Sequence, residues 1–228
     1  MEDEITFIFP RRPDGGRRDD LAAWTIHRVA ALAPRATIVT ADAGGELFNR
    51  AASINKGFRQ SRPSGMVIVS DLDTVWNPSV LHDAVRIYEA GRWGFPYNSY
   101  NFLTNEATDV LLRQPADVEI VDPDIYMETV AQSETEHPLS GFLVFSACDF
   151  KHTGGFHQEF SGWGYEDDAF VFNACARLGG PMRTTNKVFH MEHPRSNQEH
   201  IDSPVAAANR KVYDEYVRNW PRSFVDYL

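Results

Sequence analysis

The stretch that most constrains this chain is Met66 to Pro78, MVIVSDLDTVWNP, where an apolar, β-branched run ends abruptly in two aspartates, Asp71 and Asp73. A short apolar run bounded by polar and turn residues predicts a strand buried on both faces, the kind found in mostly parallel sheets. Loops beyond the carboxyl ends of such strands are where open α/β folds take their ligands. Two carboxylates at that edge suit a hard divalent cation that in turn holds phosphate oxygens. An isolated Asp-x-Asp also ends ordinary capped turns, so the rest of the chain has to decide.

Upstream, Ile5 to Pro10 reads as a first strand, and helical spacing follows at Ala22, Ile26, Val29, Ala30 and Ala33, closed by Pro34. A strand at Ala36 to Ala41 and a helical stripe at Ala51, Ile54 and Phe58 complete a βαβαβ unit with the Asp-bearing strand. Right-handed crossovers then give a parallel sheet with its loops on one edge. Downstream, Val80, Leu81, Ala84, Val85 and Tyr88 mark a helix, Trp93 to Tyr97 a short strand, and Leu139 to Ala147 a longer one. The spacing of Phe170, Val171, Ala174, Cys175 and Leu178 predicts a helix stopped by Gly179 and Gly180. Lys187 to Pro194 is a strand running into a turn, and Val212, Tyr213, Tyr216, Val217 and Trp220 form a last helix on the outside. Residues 98–138 are polar and acidic and read as an insertion or flap with no chemistry assigned. With no linker in view, the expectation is one α/β domain over residues 1–228, a mostly parallel central sheet flanked by helices.

A chain of 228 residues is long enough to bury a substantial core. Its formal charge of −10 argues against a nucleic-acid binder, because a phosphate backbone demands a basic footprint. A single nucleotide needs only a local cluster of cations, and Arg11, Arg12, Arg17 and Arg18 supply one. No apolar run approaches the ~18 residues that cross a bilayer, and the acidic start MEDEITFIFP is unlike a secretory signal. Cys148 and Cys175 suggest no disulfide framework, so a reduced, cytoplasmic protein is expected.

Glu166, Asp167 and Asp168 stand together at a helix start, directly after Gly162-Trp163-Gly164 and Tyr165. Acids there are common as plain caps, but the tryptophan points further. An aromatic face beside carboxylates is a common grip on a sugar, and one of the acids can take a proton from an attacking hydroxyl. His190 and His193 are three residues apart, which in a regular strand puts them on opposite faces. Both reach one site only if the backbone turns, as Pro194 allows. Imidazole with carboxylate suits manganese-like metals, while either histidine alone also fits a structural role. Arg12 and Arg50 are candidate diphosphate or nucleotide contacts.

Taken together, these pieces resemble the beta-1,4-galactosyltransferase family. FNRAASINKGF at Phe48 to Phe58 looks like that family's nucleotide-side motif, followed in the same order by SDLD at Ser70 to Asp73, GGF at Gly154 to Phe156, GWGYEDD at Gly162 to Asp168, and a histidine at 193. The resemblance implies a GT-A glycosyltransferase, with a divalent cation (Mn2+, or another such as Mg2+) and a sugar-nucleotide donor, leaning to UDP. It implies Pro10, Arg12, Arg50 and Trp163 on the donor, and Asp71 is expected on the ribose or behind the metal ligands. It places Asp73 and His193 on the metal with His190 as a further ligand, Asp167 as catalytic base, and Trp163, Glu166 and Asp168 on the acceptor. Arg11, Tyr165, Ala169 and His190 depart from the family pattern, and the animal enzymes' membrane anchor has no counterpart, which fits a bacterial or viral cytosolic enzyme.

The expected reaction is inverting transfer to an acceptor hydroxyl, on a glycan, protein, lipid or modified nucleic acid. VSDLDTV also resembles the strand-borne motif of haloacid-dehalogenase phosphatases, in which Asp71 would be the nucleophile. A non-catalytic sugar-binding module on the same fold and a retaining transferase are two further readings of the same residues.

Overall fold

The computed structural model describes residues 4–120, 138–195 and 201–228. In chain order the elements are β1 (Ile5–Pro10), α1 (Arg17–Leu32), β2 (Thr37–Ala41), α2 (Arg50–Ser61), β3 (Met66–Ser70), β4 (Thr74–Trp76), α3 (Pro78–Glu89), β5 (Gly94–Phe95), β6 (Ser99–Phe102), α4 (Asn105–Leu112), β7 (Phe142–Ser146), α5 (Ala147–Thr153), α6 (Glu166–Leu178), β8 (Met182–Arg183), β9 (Lys187–His190) and α7 (Pro204–Asn219). A six-stranded sheet runs β2-β1-β3-β7-β5-β8, and a small second sheet runs β4-β9-β6.

The first βαβαβ unit is as expected, with β1 parallel to both β2 and β3. The sheet is mostly parallel; the reversed strand is β7, antiparallel to β3 and β5. Strands β1 and β3 are buried at every position, which explains their unbroken apolar runs. Fully burying one side chain such as Phe7 contributes about 1.5–3 kcal/mol, and Phe7 packs on Trp76 and Phe142 with ring centroids 6.1 and 6.4 Å apart. Helix α2 lies close against this sheet at Gly57, where an added Cβ would stand 2.7 Å from Ile8 Cγ2.

The predicted strand at Leu139 to Ala147 shortens to β7, because Ser146 accepts a hydrogen bond from Asp149 N and starts α5. The described part of 98–138 contains regular structure. Strand β6 lies parallel to β9, and α4 buries Ala107 and Leu111 against Val75, Phe189 and Met191 under the small sheet. Residues 121–137 of that expected flap lie outside the described residues. Helix α7 packs on α6 through Tyr216, Phe160 and Ala169. Among the described residues, no helix is long and apolar enough to cross a membrane.

Candidate active site

Strand β3 is still paired where its carboxylates emerge, since Asp71 N donates to Gly141 O at 3.2 Å. Two residues later the chain joins the small sheet. Met191 N donates to Asp73 O at 2.8 Å, and Thr74 sits opposite His190 in the β4–β9 ladder. That register carries Asp73 to the late imidazoles. Its Oδ2 lies 3.0 Å from His193 Nε2 and 3.7 Å from His190 Nε2. The parity problem of two histidines three apart is solved because β9 ends at His190 and the chain turns before His193.

Burial alone would raise the Asp73 carboxyl, but His190, the hydrogen bond from His193 and Arg18 hold it well below the usual carboxylate range. Burial would lower His193, yet Asp73 raises it; burial also lowers His190, and there it outweighs the opposing pull of Asp73. One ligand atom from each of Asp73, His190 and His193 lies within 4.8 Å of the others, a mixed oxygen and nitrogen set that fits a manganese-like cation. His193 Nδ1 lies 3.1 Å from Pro194 O and accepts from Arg18 Nε at 3.2 Å, contacts that fix the ring with Nε2 facing Asp73. Tyr100 and Phe102 of β6 lie 6.0 and 5.1 Å from the His190 ring.

A second cluster gathers around Arg50. Its Nε donates to Asp71 Oδ1 at 2.9 Å and its Nη1 to Asp167 Oδ1 at 2.6 Å, with Glu166 Oε1 at 3.8 Å. Three carboxylates thus share one guanidinium. Burial raises Asp167 well above its ordinary value, Glu166 and Asp71 add to this, and Arg50 opposes it. Burial raises Glu166 as well, again against Arg50. Nη2 of Arg50 is buried with no hydrogen-bond partner among the described residues.

The loop before α6 is stitched to α2. Gly162 N donates to Phe48 O at 2.9 Å, and Asn49 and Gly162 form a parallel bridge. On the other side, Asn209 of α7 donates to Ser161 O and Trp163 O, both at 3.1 Å, and accepts from Ser161 N. Gly162 has φ +72°, and a Cβ there would meet Val205 Cγ1 at 2.7 Å, so both conformation and packing require glycine. Between these anchors Trp163 is 40% exposed. Tyr165 caps α6 at φ +70°, a left-handed conformation uncommon for a bulky residue.

The structure brings Asp73, His190 and His193 together, and separately Arg50, Asp71, Glu166 and Asp167. Glu166 faces Arg50 and is buried; Asp168 is half-buried and its charge reaches Tyr213 of α7. Pro10 ends β1 in the core sheet, and Arg12 is held bidentate by Asp42 at 2.9 and 3.0 Å, over the Phe48 ring. Sequence reasoning missed Arg18, whose Nε lies 3.2 Å from His193 Nδ1, and the role of Asn209. The first was visible only as part of an arginine cluster, and the second carried no signal.

A mixed sheet with a group of potential cation ligands at the end of its third strand and acids on a facing helix is an arrangement similar to that of GT-A glycosyltransferase structures. A family model described as the N-terminal domain of galactosyltransferase matches residues 128–194, the part that holds GWGYEDD and both site histidines. The chain is a glycosyltransferase, and the family it resembles is that of the galactosyltransferases. No curated protein matches it in sequence. The catalytic domain of Drosophila beta1,4galactosyltransferase 7 in complex with xylobiose is similar in fold, with a TM-score of 0.54 at 18% identity over 90% of this chain and 79% of that one. A mutant of the same Drosophila enzyme in complex with manganese, UDP-Gal and xylobiose has a TM-score of 0.50 at 18% identity, over 91% and 79%. A mycobacterial protein has a TM-score of 0.51 at 12% identity, over 94% and 74%.

Proposed function

We propose that this protein transfers a sugar from a UDP-sugar to an acceptor hydroxyl with inversion, in a single displacement that depends on a divalent cation. The observation that carries this reading is the trio Asp73, His190 and His193, with ligand atoms within 4.8 Å of one another, beside a separate acid pair, Glu166 and Asp167, on α6. The fold neighbour whose complex contains manganese, UDP-Gal and xylobiose supports the same reading.

Asp73, His190 and His193 would hold the cation, whose contribution is to neutralise a diphosphate and make it a better leaving group. Asp167 removes the proton from the acceptor hydroxyl, and its raised pKa suits a base that must hold that proton. Arg50 positions Asp167 and Asp71 on one rigid fork. Trp163, flanked by Gly162 and Gly164, covers the donor and excludes water. A phosphatase using Asp71 as nucleophile fits less well, because Arg50 engages that carboxylate and the acids of α6 would have no part.

The decisive experiment is a panel of sugar nucleotides with and without manganese, followed by thermal shift and by nucleoside diphosphate release. Stabilisation by a UDP-sugar that needs manganese, together with UDP release on adding an acceptor such as xylobiose, is the expected result. Cleavage of p-nitrophenyl phosphate without use of any sugar nucleotide would replace the reading with the phosphatase.

A further inference from the structure

Helix α2 carries two cationic environments that could hardly differ more. Arg50, at its start, is surrounded by three carboxylates. Arg59 lies nine residues on, two and a half turns and so on the opposite face, with Lys56 one turn before it. There a cavity of about 560 Å³ opens beyond the carboxyl end of β2, walled by Gly44, Gly45, Asn49, Lys56, Arg59 and Gln158 with two alanines. That volume is within the range of ligand sites. It contains none of the groups described above as catalytic.

The charge in this cavity runs against the chain. Across the protein acids outnumber Lys and Arg 32 to 22, yet the cavity wall has two cations and no acid. Like charges three residues apart on a helix repel, and a nearby acid would be the ordinary remedy. Instead, Lys56 Nζ donates to Asp42 O at 2.8 Å and Arg59 Nη1 donates to Tyr227 O; both partners are backbone carbonyls. Among the described residues neither cation is in an ion pair. The carboxylate of Asp42 is paired with Arg12, and Lys56 acts on it only through space, without a direct ion pair. Each cation keeps further N–H donors, and the guanidinium fork matches a planar or tetrahedral oxyanion. The positive end of the helix is not the source of the site, since both residues lie beyond the first turn; the last-turn position favours Arg59 but does not explain Lys56.

We infer that this cavity is a second, anion-binding site, in which Lys56 and Arg59 hold a phosphate-like oxyanion on the far side of α2 from the catalytic groups. Its wall is coupled to the site, because Asn49 lines the cavity, caps α2, holds Gln158 O at 2.9 Å and bridges to Gly162. The oxyanion is either free phosphate or a phosphate carried by a larger saccharide.

The test uses the full chain, metal-free, titrated with inorganic phosphate and, separately, with glucose 6-phosphate, followed by NMR shifts of the residue 43–59 amides. Both Lys56→Gln with Arg59→Gln and the charge-preserving pair Lys56→Arg with Arg59→Lys are compared with the wild type. The expected result is binding that weakens at least tenfold in the glutamine pair and survives in the charge-preserving pair. Equal affinity for the two probes assigns the free ion, and tighter binding of glucose 6-phosphate assigns a phosphorylated saccharide. No binding of either probe, or binding unchanged in the glutamine pair, overturns the site. Should the glutamine pair fail to fold, Arg59→Gln alone, at an exposed position, carries the same comparison. No donor or cation enters the measurement, so its outcome is independent of the proposed transferase reaction.

Discussion

Asp73 and Asp167 are both only partly exposed at the same edge of the sheet, and their carboxyls move in opposite directions. Asp73 meets two imidazoles and an arginine and is held below the usual carboxylate range. Asp167 shares Arg50 with Asp71 and Glu166, so its one cation is divided among three anions, and it is raised. Burial pushes both upward, so what decides the sign is the ratio of cations to carboxylates at each place. A permanently ionised carboxylate can ligate a cation; one that holds a proton more tightly can serve as a base. The two duties proposed above are thus consistent with local charge counting.

Substitutions should separate the two. Asp167→Asn removes the base while leaving the cation trio intact, so transfer should fall by a factor on the order of 10² to 10⁴ while donor binding, read by thermal shift with manganese, persists. A variant that transfers at the wild-type rate would remove Asp167 from the role. Asp73→Ala should do the converse and abolish metal-dependent donor binding, with transfer reduced on the order of 10³-fold if the cation supplies several kcal/mol. Arg50→Lys replaces a fork that spans Asp71 and Asp167 by a point charge that can serve only one of them. A loss of one charge-assisted hydrogen bond, about 1.5–3 kcal/mol, predicts roughly a 10- to 100-fold fall in kcat/KM.

The smallest effect is the most direct check on the signs. The folded Asp73 carboxyl lies below its unfolded value, so its stabilising contribution is present above that unfolded value and is lost as pH falls toward the folded one. The folded Asp167 carboxyl lies above its unfolded value, so its contribution is full below the unfolded value and is lost as pH rises through the folded one. In metal-free protein, Asp73→Asn should therefore be most destabilising near neutral pH, and Asp167→Asn relatively least destabilising there. Denaturant unfolding of both variants from about pH 3, below the ordinary Asp value of roughly 3.9, up to neutral pH would show opposite slopes, and parallel slopes would break the comparison.

The main sheet was largely legible because β1 and β3 are buried on both faces and their sequence has to say so. The site was legible where its residues are adjacent in sequence, as in Ser70 to Asp73 and Gly162 to Asp168. The small sheet was not, since β4, β9 and β6 are three or four residues long and their partners lie far apart in the chain. Which of three successive acids would turn to Arg50 was also hidden. It depends on the left-handed turn at Tyr165 that sets the phase of α6, and tyrosine does not advertise that conformation. The position of α7 was read only as external, whereas Asn209 reaches from it to the peptide groups on either side of Gly162.

His193 touches a residue 120 positions earlier. During synthesis the ribosome finishes the β1-to-β3 unit, with Asp71 and Asp73 already at its rim, long before either imidazole or the acids of α6 exist. A partial chain can hold Asp71 and Asp73 and still lack every partner that Asp73 and Arg50 meet later in the chain. A chain cut short before α6 therefore lacks both charged clusters, however well its first sheet has formed.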